Sequence, residues 1–446
     1  MLRLSARPVS AGASGPVAGR LVKPTRCLIV VCALLTLALT LTLAYAGPWT
    51  DLGTSNAPTA RYGHGTVTLP DGRVLLFGGE ESDGTLRNDL FAFQNNNWAS
   101  VDQTNPPSPR YGHTMVTLPD GRVMLFGGEQ SDGTLSNGLF RFQNNGWGPL
   151  DPANDPPPAR KYHTSWQSGT KTYVAGGTGV DGNDLKDTWS YDSTTNNWQR
   201  GLDAPFAFSG AVALRQAIDL LIIGAYDRVL SYYEQGNSWA QRTPLVETPL
   251  GLTPPTRQGA AFTTDGYKAW LAGGIEAGGT YSRSTWEYIV ETNRWVQRED
   301  LPQALAYGSA AYVSNLPASS AGPGLVLFGG RTNSGTAIST TYGHEPKLGT
   351  EKVLSSGVGK TLTYVDTRAL TTTVRSSIDS VTSTMILDFT ALRRPSNPLP
   401  AGLTSAGHVF TLDALAYPAG TALPGFQFNA PVVATVYYSA ADVLGM

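Results

Sequence analysis

Residues 61–79 read RYGHGTVTLPDGRVLLFGG, and residues 110–128 read RYGHTMVTLPDGRVMLFGG. Each stretch holds two β-prone runs separated by Pro-Asp-Gly: Pro70-Asp71-Gly72 in the first and Pro119-Asp120-Gly121 in the second. Proline presets φ for a turn and glycine accepts a positive φ, so the reading is strand, tight turn, strand, ending on a Gly pair. The pair recurs at Gly78-Gly79, Gly127-Gly128, Gly176-Gly177, Gly273-Gly274 and Gly329-Gly330, in steps of 49, 49, 97 and 56 residues. The double step hides a degenerate copy at Gly224-Ala225. A near-constant period of about 50 residues means one supersecondary unit repeated along the chain, six times by this count.

Outward from each Gly pair lie a polar loop and an aromatic run. Leu90 to Phe93, Leu139 to Phe142, Thr188 to Tyr191, Ser231 to Tyr233 and Thr285 to Tyr288 are these runs. A turn follows, and then a tryptophan: Trp98, Trp147, Trp198, Trp239 and Trp295. Four short strands bounded by turn residues have the composition of one propeller blade, and no segment of the repeat shows a helical apolar period. The last Gly pair has no tryptophan after it, whereas Trp49 stands alone upstream, 49 residues before Trp98. The economical solution is a six-bladed propeller closed by an N-terminal strand around Trp49, which completes the last blade and removes open sheet edges. Blade four, from Gly224 to Trp239, is short and has lost its Gly pair.

The Gly pair after an apolar strand, the aromatic third strand and the fourth-strand tryptophan together resemble the kelch repeat over about residues 48–345. The resemblance implies an all-β propeller over 47–346 that presents one loop face to a protein or glycan partner.

The 446-residue chain has 50 Gly, 30 Pro and only 15% charged residues, a turn-rich all-β profile. Five basic residues and no acid precede an apolar run from Cys27 to Leu43, and Ala44-Tyr45-Ala46 follows. Residues 1–46 read as a secretory signal cleaved after Ala46, or as an uncleaved signal anchor at 27–43. Either way the chain is expected to be extracytoplasmic, secreted or on the cell surface. Cys27 and Cys32 both lie in the apolar run, so residues 47–446 contain no cysteine for a disulfide. Those residues carry 27 basic and 34 acidic groups, a net charge of −7, which excludes a basic footprint for nucleic acid.

Strand alternation puts the loops that enter each blade on the same face as the loops that follow the Gly pairs. Arg61, Arg110, Arg160 and Arg257 fall there, with Glu80, Glu129, Glu276 and Arg331. Such a ring suits a polar ligand or a peptide. The kelch resemblance offers a second role for the arginines, bracing neighbouring blades. His64, His113 and His163 occur one per repeat, too far apart by blade rotation to share a metal ion, so neither metal nor other cofactor is expected. His344 and His408 have no partners in the sequence, and the Asp-Gly loops at Asp83, Asp132 and Asp181 lack calcium-loop spacing.

Two enzyme types resemble kelch propellers. Galactose-oxidase-like copper enzymes use a cysteine-crosslinked tyrosine, which a mature chain without cysteine lacks. Periplasmic sialic acid mutarotases are exported six-bladed rings that work with Arg and acid residues, and they provide the alternative to a non-enzymatic binding module. Beyond about Pro346 the composition shifts. Thr361–Val365, Ser383–Phe389 and Val432–Tyr438 read as strands of a β-sandwich-like module over 347–446, possibly incomplete, whose open edge would need another strand donor. The ring itself is expected to be monomeric.

Overall fold

The computed structural model describes residues 3–8, 49–216, 219–225, 228–242, 257–265, 268–290, 294–316 and 322–346. It also describes 349–354, 359–365, 371–376, 385–392, 409–416 and 432–438, with single positions at 254, 292, 381, 383 and 423. The apolar run 27–43, Ala46 and both cysteines lie outside the described residues. Every regular element among the described residues is a strand, so no helix there is long and apolar enough to cross a membrane.

Among the described residues, five four-stranded blades, rather than six, are each built from one continuous stretch of chain. The first comprises Gly65–Thr68, Val74–Phe77, Leu90–Gln94 and Asn97–Ser100. The first strands of the next four are Thr114–Thr117, Thr164–Ser168, Val212–Gln216 and Ala261–Thr264. A further four-stranded sheet is composite: Ser309–Leu316, Gly322–Phe328 and Thr341–His344 are completed by Thr50–Asp51 from the other end of the chain. Thr50 pairs antiparallel with Gly343, and Asp51 with Tyr342. First strands touch in order from blade one to blade five, then the composite sheet, and this sheet touches blade one again.

The core lies between the sheets. Leu75, Phe77 and Leu90 of blade one pack with Met115, Val123, Leu125 and Trp147 of blade two. Val116, Met124 and Phe126 of blade two pack in turn with Val174, Tyr191 and Trp198 of blade three. At the seam between the chain ends, Trp49 is buried and stacks on His344 with ring centroids 4.9 Å apart. Its indole Nε1 donates to Thr285 Oγ1 of blade five at 2.9 Å, just as Trp98 Nε1 donates to Thr341 Oγ1 of the composite sheet at 2.9 Å. Each of these tryptophans thus ties its own sheet to the one before it.

The Gly pairs earn their place at the blade junctions. Gly79 N–H donates to Arg110 O, Gly128 to Arg160 O, Gly177 to Phe208 O, Gly274 to Leu305 O and Gly330 to Arg61 O, all at 2.7–2.9 Å. A Cβ on the preceding glycine would stand 2.3–2.8 Å from that same carbonyl. Both glycines of each pair have positive φ. Close approach and left-handed backbone therefore both demand glycine.

Beyond residue 346 the described strands fall in two sheets. Gly349–Leu354, Met385–Leu392 and Val409–Ala416 form one, and Thr361–Val365, Thr371–Ser376 and Val432–Tyr438 belong to the other. Leu354, Leu362, Val374, Met385, Leu387 and Phe389 make one buried cluster shared by both sheets. Arg3–Pro8 pairs in parallel with Val432–Tyr438 and forms the outer strand of the second sheet. Removal of residues 1–46 would leave that strand edge unpaired.

Candidate functional site

Each blade enters the ring through an extended segment that carries the periodic arginine. All four arginines are buried. Arg61 Nη1 donates to Gly78 O at 3.1 Å, Arg110 Nη1 to Gly127 O at 2.8 Å, Arg160 Nη1 to Gly176 O at 2.9 Å and Arg257 Nη1 to Gly273 O at 2.8 Å. Each guanidinium thus holds the first carbonyl of its own blade's Gly pair. Asp89 closes on Arg61, and Asp187 grips Arg160 with both oxygens at 2.7 Å. In blade two the matching position is Gly138, and Arg110 relies on Ser108, Ser136 and the ring of Phe140 at 5.0 Å. Burial without a carboxylate pulls its pKa down to about 10. These arginines brace strand ends, and their donors point into the protein.

The two glutamates stand at the axis end of the same face, where they meet four tyrosines. Tyr62, Tyr111, Tyr162 and Tyr307 form a closed circle, with successive ring centroids 6.5, 6.1, 5.2 and 6.4 Å apart. Glu80 accepts a hydrogen bond from Tyr62, and burial together with this contact raises the Tyr62 pKa. Tyr111 Oη donates to Glu129 Oε2 at 3.0 Å, and Lys161 Nζ reaches the same oxygen at 2.5 Å. Lys161 also lies 5.0 Å from the Tyr111 ring centroid. Burial pulls its pKa down, but Glu129 and Tyr111 outweigh this, so the net shift is upward. Arg331 covers the Tyr62 ring at 5.3 Å, and its Nε has no hydrogen-bond partner.

The tyrosines are held by the backbone beneath them. Gly63, Gly112, Tyr162, Gly210, Gly259 and Tyr307 contribute one residue per sheet, and all have φ between +54° and +68°. Gly112 N–H donates to Gly63 O, Tyr162 to Gly112 O, Gly210 to Tyr162 O, Tyr307 to Gly259 O and Gly63 to Tyr307 O, at 2.6–2.7 Å. Four of these left-handed positions are glycine. At the other two a tyrosine accepts strain of about 1–3 kcal/mol. Tyr162 and Tyr307 belong to sheets three apart in the ring, and their side chains meet over the axis.

Sequence reasoning missed this circle, although one signal was present. In blade three the frame Arg-Tyr-Gly-His becomes Arg160-Lys161-Tyr162-His163, which puts a bulky residue where glycine stands in blades one and two.

Below the circle is an axial cavity of about 240 Å³, with Thr66, Thr114, Ser165, Ser309 and all three periodic histidines on its wall. The histidines wedge between sheets: His64 Nε2 bonds Ser309 Oγ at 2.6 Å and His163 Nε2 bonds Thr114 Oγ1 at 2.7 Å. Burial and then the nearby Arg61 depress the His64 pKa to about 3, and His113 and His163 shift the same way beside Arg110 and Arg160. Among the described residues no group of three His, Cys, Asp or Glu is placed to hold a metal ion.

Around the mouth rise hairpin loops of one pattern. They are closed by Glu81 N–H to Thr85 O, Gln130 to Thr134, Gly179 to Asn183, Glu276 to Thr280 and Thr332 to Thr336. In blade four only two residues separate Asp219–Ala225 from Arg228–Tyr233, so the crown is interrupted there.

Residues 46–204 match the KLHDC2/KLHL20/DRC7 Kelch-repeats domain. A stretch of 163 residues, 35% of this chain, is 25% identical to Kelch-like protein 25 of Xenopus tropicalis. The match spans 28% of that relative's own length. The matched residues fall within the ring of sheets, so the chain holds an all-β propeller whose residues 46–204 match kelch repeats.

Proposed function

We propose that this chain is an extracytoplasmic, non-enzymatic binding module that takes a segment of a protein partner at the tyrosine-lined mouth. The observation that carries the reading is the circle of four tyrosines rimmed by Glu80, Glu129, Lys161 and Arg331 within a crown of loops. Tyrosine offers wide contact area at low entropic cost, and charges at a rim steer and orient a partner. Val180, 78% exposed at the tip of a crown loop, adds an apolar contact on the same face. The interruption at blade four gives an extended segment a lateral way in. Because Arg61, Arg110, Arg160 and Arg257 already bond main-chain carbonyls, the reading gives them a supporting role and assigns contact to the tyrosines and rim charges.

Affinity capture with the full chain, compared with a Lys161→Ala/Arg331→Ala protein, tests the site. A protein recovered by the first and depleted at least tenfold by the second, then binding in purified form by calorimetry, supports it. Equal recovery by both removes the mouth as the contact surface. A glycan array hit lost in the same variant would move the partner class from protein to carbohydrate.

Three structural readings go with this function. The composite sheet acts as the sixth blade, closing the ring between the chain ends. Residues 347–446 form an appended β-sandwich-like module. Residues 27–43 direct export; cleavage after Ala46, or retention as a membrane-spanning anchor, would separate Arg3–Pro8 from Val432–Tyr438, and N-terminal sequencing of exported protein distinguishes the two.

A further inference from the structure

The axial cavity has a wall chemistry that the partner-binding mouth does not use. Among the described residues, no Asp, Glu, Lys or Arg lines it. Its polar groups are the hydroxyls of Thr66, Thr114, Thr164, Ser165 and Ser309, two phenols and three imidazoles. His113 is 5% exposed; its ring meets the Phe77 backbone on one side, and Nε2 has no hydrogen-bond partner. The reason is local. Ser309 and Thr114 supply a hydroxyl to His64 and His163, whereas the corresponding position facing His113 Nε2 is Gly65. A buried imidazole nitrogen left without a partner is costly, so Nε2 calls for one that the surrounding protein atoms do not provide.

The space of about 240 Å³ is far more than the roughly 10–15 Å³ a single water needs, yet smaller than the about 300–1,000 Å³ of a site for drug-sized ligands. An ion there would find no counter-charge among the described lining residues. A hydroxyl both donates and accepts, so it satisfies neutral imidazole in either tautomer. Tyr162 and Tyr307 hold left-handed backbone to cover one end, and strain retained at such a place marks a function.

We propose that the axial cavity is a binding site for a small uncharged polyol, hydrogen-bonded to His113 and the surrounding hydroxyls and capped at one end by Tyr162 and Tyr307.

The test follows the histidine side-chain 15N resonances of the full chain during titration with glycerol, erythritol and, separately, inorganic phosphate. The expected result is a saturable shift of the His113 resonance with glycerol or erythritol, with the imidazole remaining neutral. Thr66→Leu and Ala310→Leu each fill the cavity from a different first strand, and whichever variant keeps the parent melting curve should bind at least tenfold more weakly. Lys161→Ala should leave polyol binding unchanged, which separates this site from the partner surface. Absence of a saturable polyol shift overturns the proposal, as does a shift that persists in a folded cavity-filled variant. A response to phosphate alone, with protonation of the histidines, also overturns it in favour of an anion site.

Discussion

The amide of Gly330 donates to the carbonyl of Arg61 at 2.9 Å, although the two residues lie 269 positions apart. It repeats, across the seam between the chain ends, the bond that joins Gly79 to Arg110 and Gly128 to Arg160 inside the ring. The Gly pair is therefore a junction between sheets, and the seam uses the same junction as every other boundary where it is described.

The clearest test is to put a Cβ on such a pair. In Gly329→Ala the new atom would stand 2.5 Å from Arg61 O on a backbone with φ +65°. Backbone cannot retreat as a flexible side chain can, so the expected loss is about 3 kcal/mol or more, against about 1 kcal/mol for Gly84→Ala. Gly84 also has positive φ but nothing within 4 Å of its Cβ position. Urea denaturation of the two variants gives the comparison, and equal losses would remove close approach as the reason for the pair.

Trp49 should behave as a core residue of the ring despite its place near the end of the repeat region. It is 5% exposed, stacks on His344 and bonds Thr285. Trp49→Ala is expected to cost about 3–5 kcal/mol, and deleting residues 47–53 should lower the thermal midpoint of the whole ring in a single transition. A melt unchanged by the deletion would show that Thr50–Asp51 is dispensable.

Position 162 should prefer glycine to alanine. Tyr162→Gly removes aromatic contacts but also releases left-handed strain, whereas Tyr162→Ala loses the contacts and keeps the strain. Alanine is expected to be less stable than glycine by about 1 kcal/mol, the reverse of the order in ordinary strands. Differential scanning calorimetry of the pair reads this directly.

Acid should destabilise the ring before its carboxylates titrate. The His64 pKa lies near 3 in the folded chain, below its ordinary value of 6.5, and His113 and His163 shift in the same direction. Below pH 6.5 the unfolded chain therefore binds more protons than the folded chain, and stability falls as pH drops towards 4. Glu287 adds loss at lower pH: burial pushes its pKa up, but Arg298 and Lys268 prevail and hold it at about 2. Thermal midpoints from pH 7 to 3 should decline throughout. Histidine NMR signals should stay neutral until the protein unfolds, and a folded protein with charged imidazoles at pH 5 would contradict the burial.

Much of the architecture was open to reading because it repeats. The Gly pairs, the Pro-Asp-Gly turns and the tryptophans mark strand ends, and a marker in register at a near-50-residue period has few explanations. Arg61, Arg110, Arg160 and Arg257 were visible for the same reason, yet periodicity could not assign their role. An arginine that faces a ligand and one that braces a carbonyl have the same spacing. The structure shows all four buried and bonded to the Gly78, Gly127, Gly176 and Gly273 carbonyls, a placement no spacing could give.

The sequence by itself determined the blade, because strand, turn and Gly pair are local and each follows from φ preferences and alternating burial. It also determined which tryptophan lacked a repeat of its own. Only the tertiary structure decided what stands at the axis. Tyr62, Tyr111, Tyr162 and Tyr307 come from sheets that converge there through contacts between residues up to 245 positions apart. Their meeting depends on ring geometry and on hydrogen bonds between sheets, which no single repeat contains.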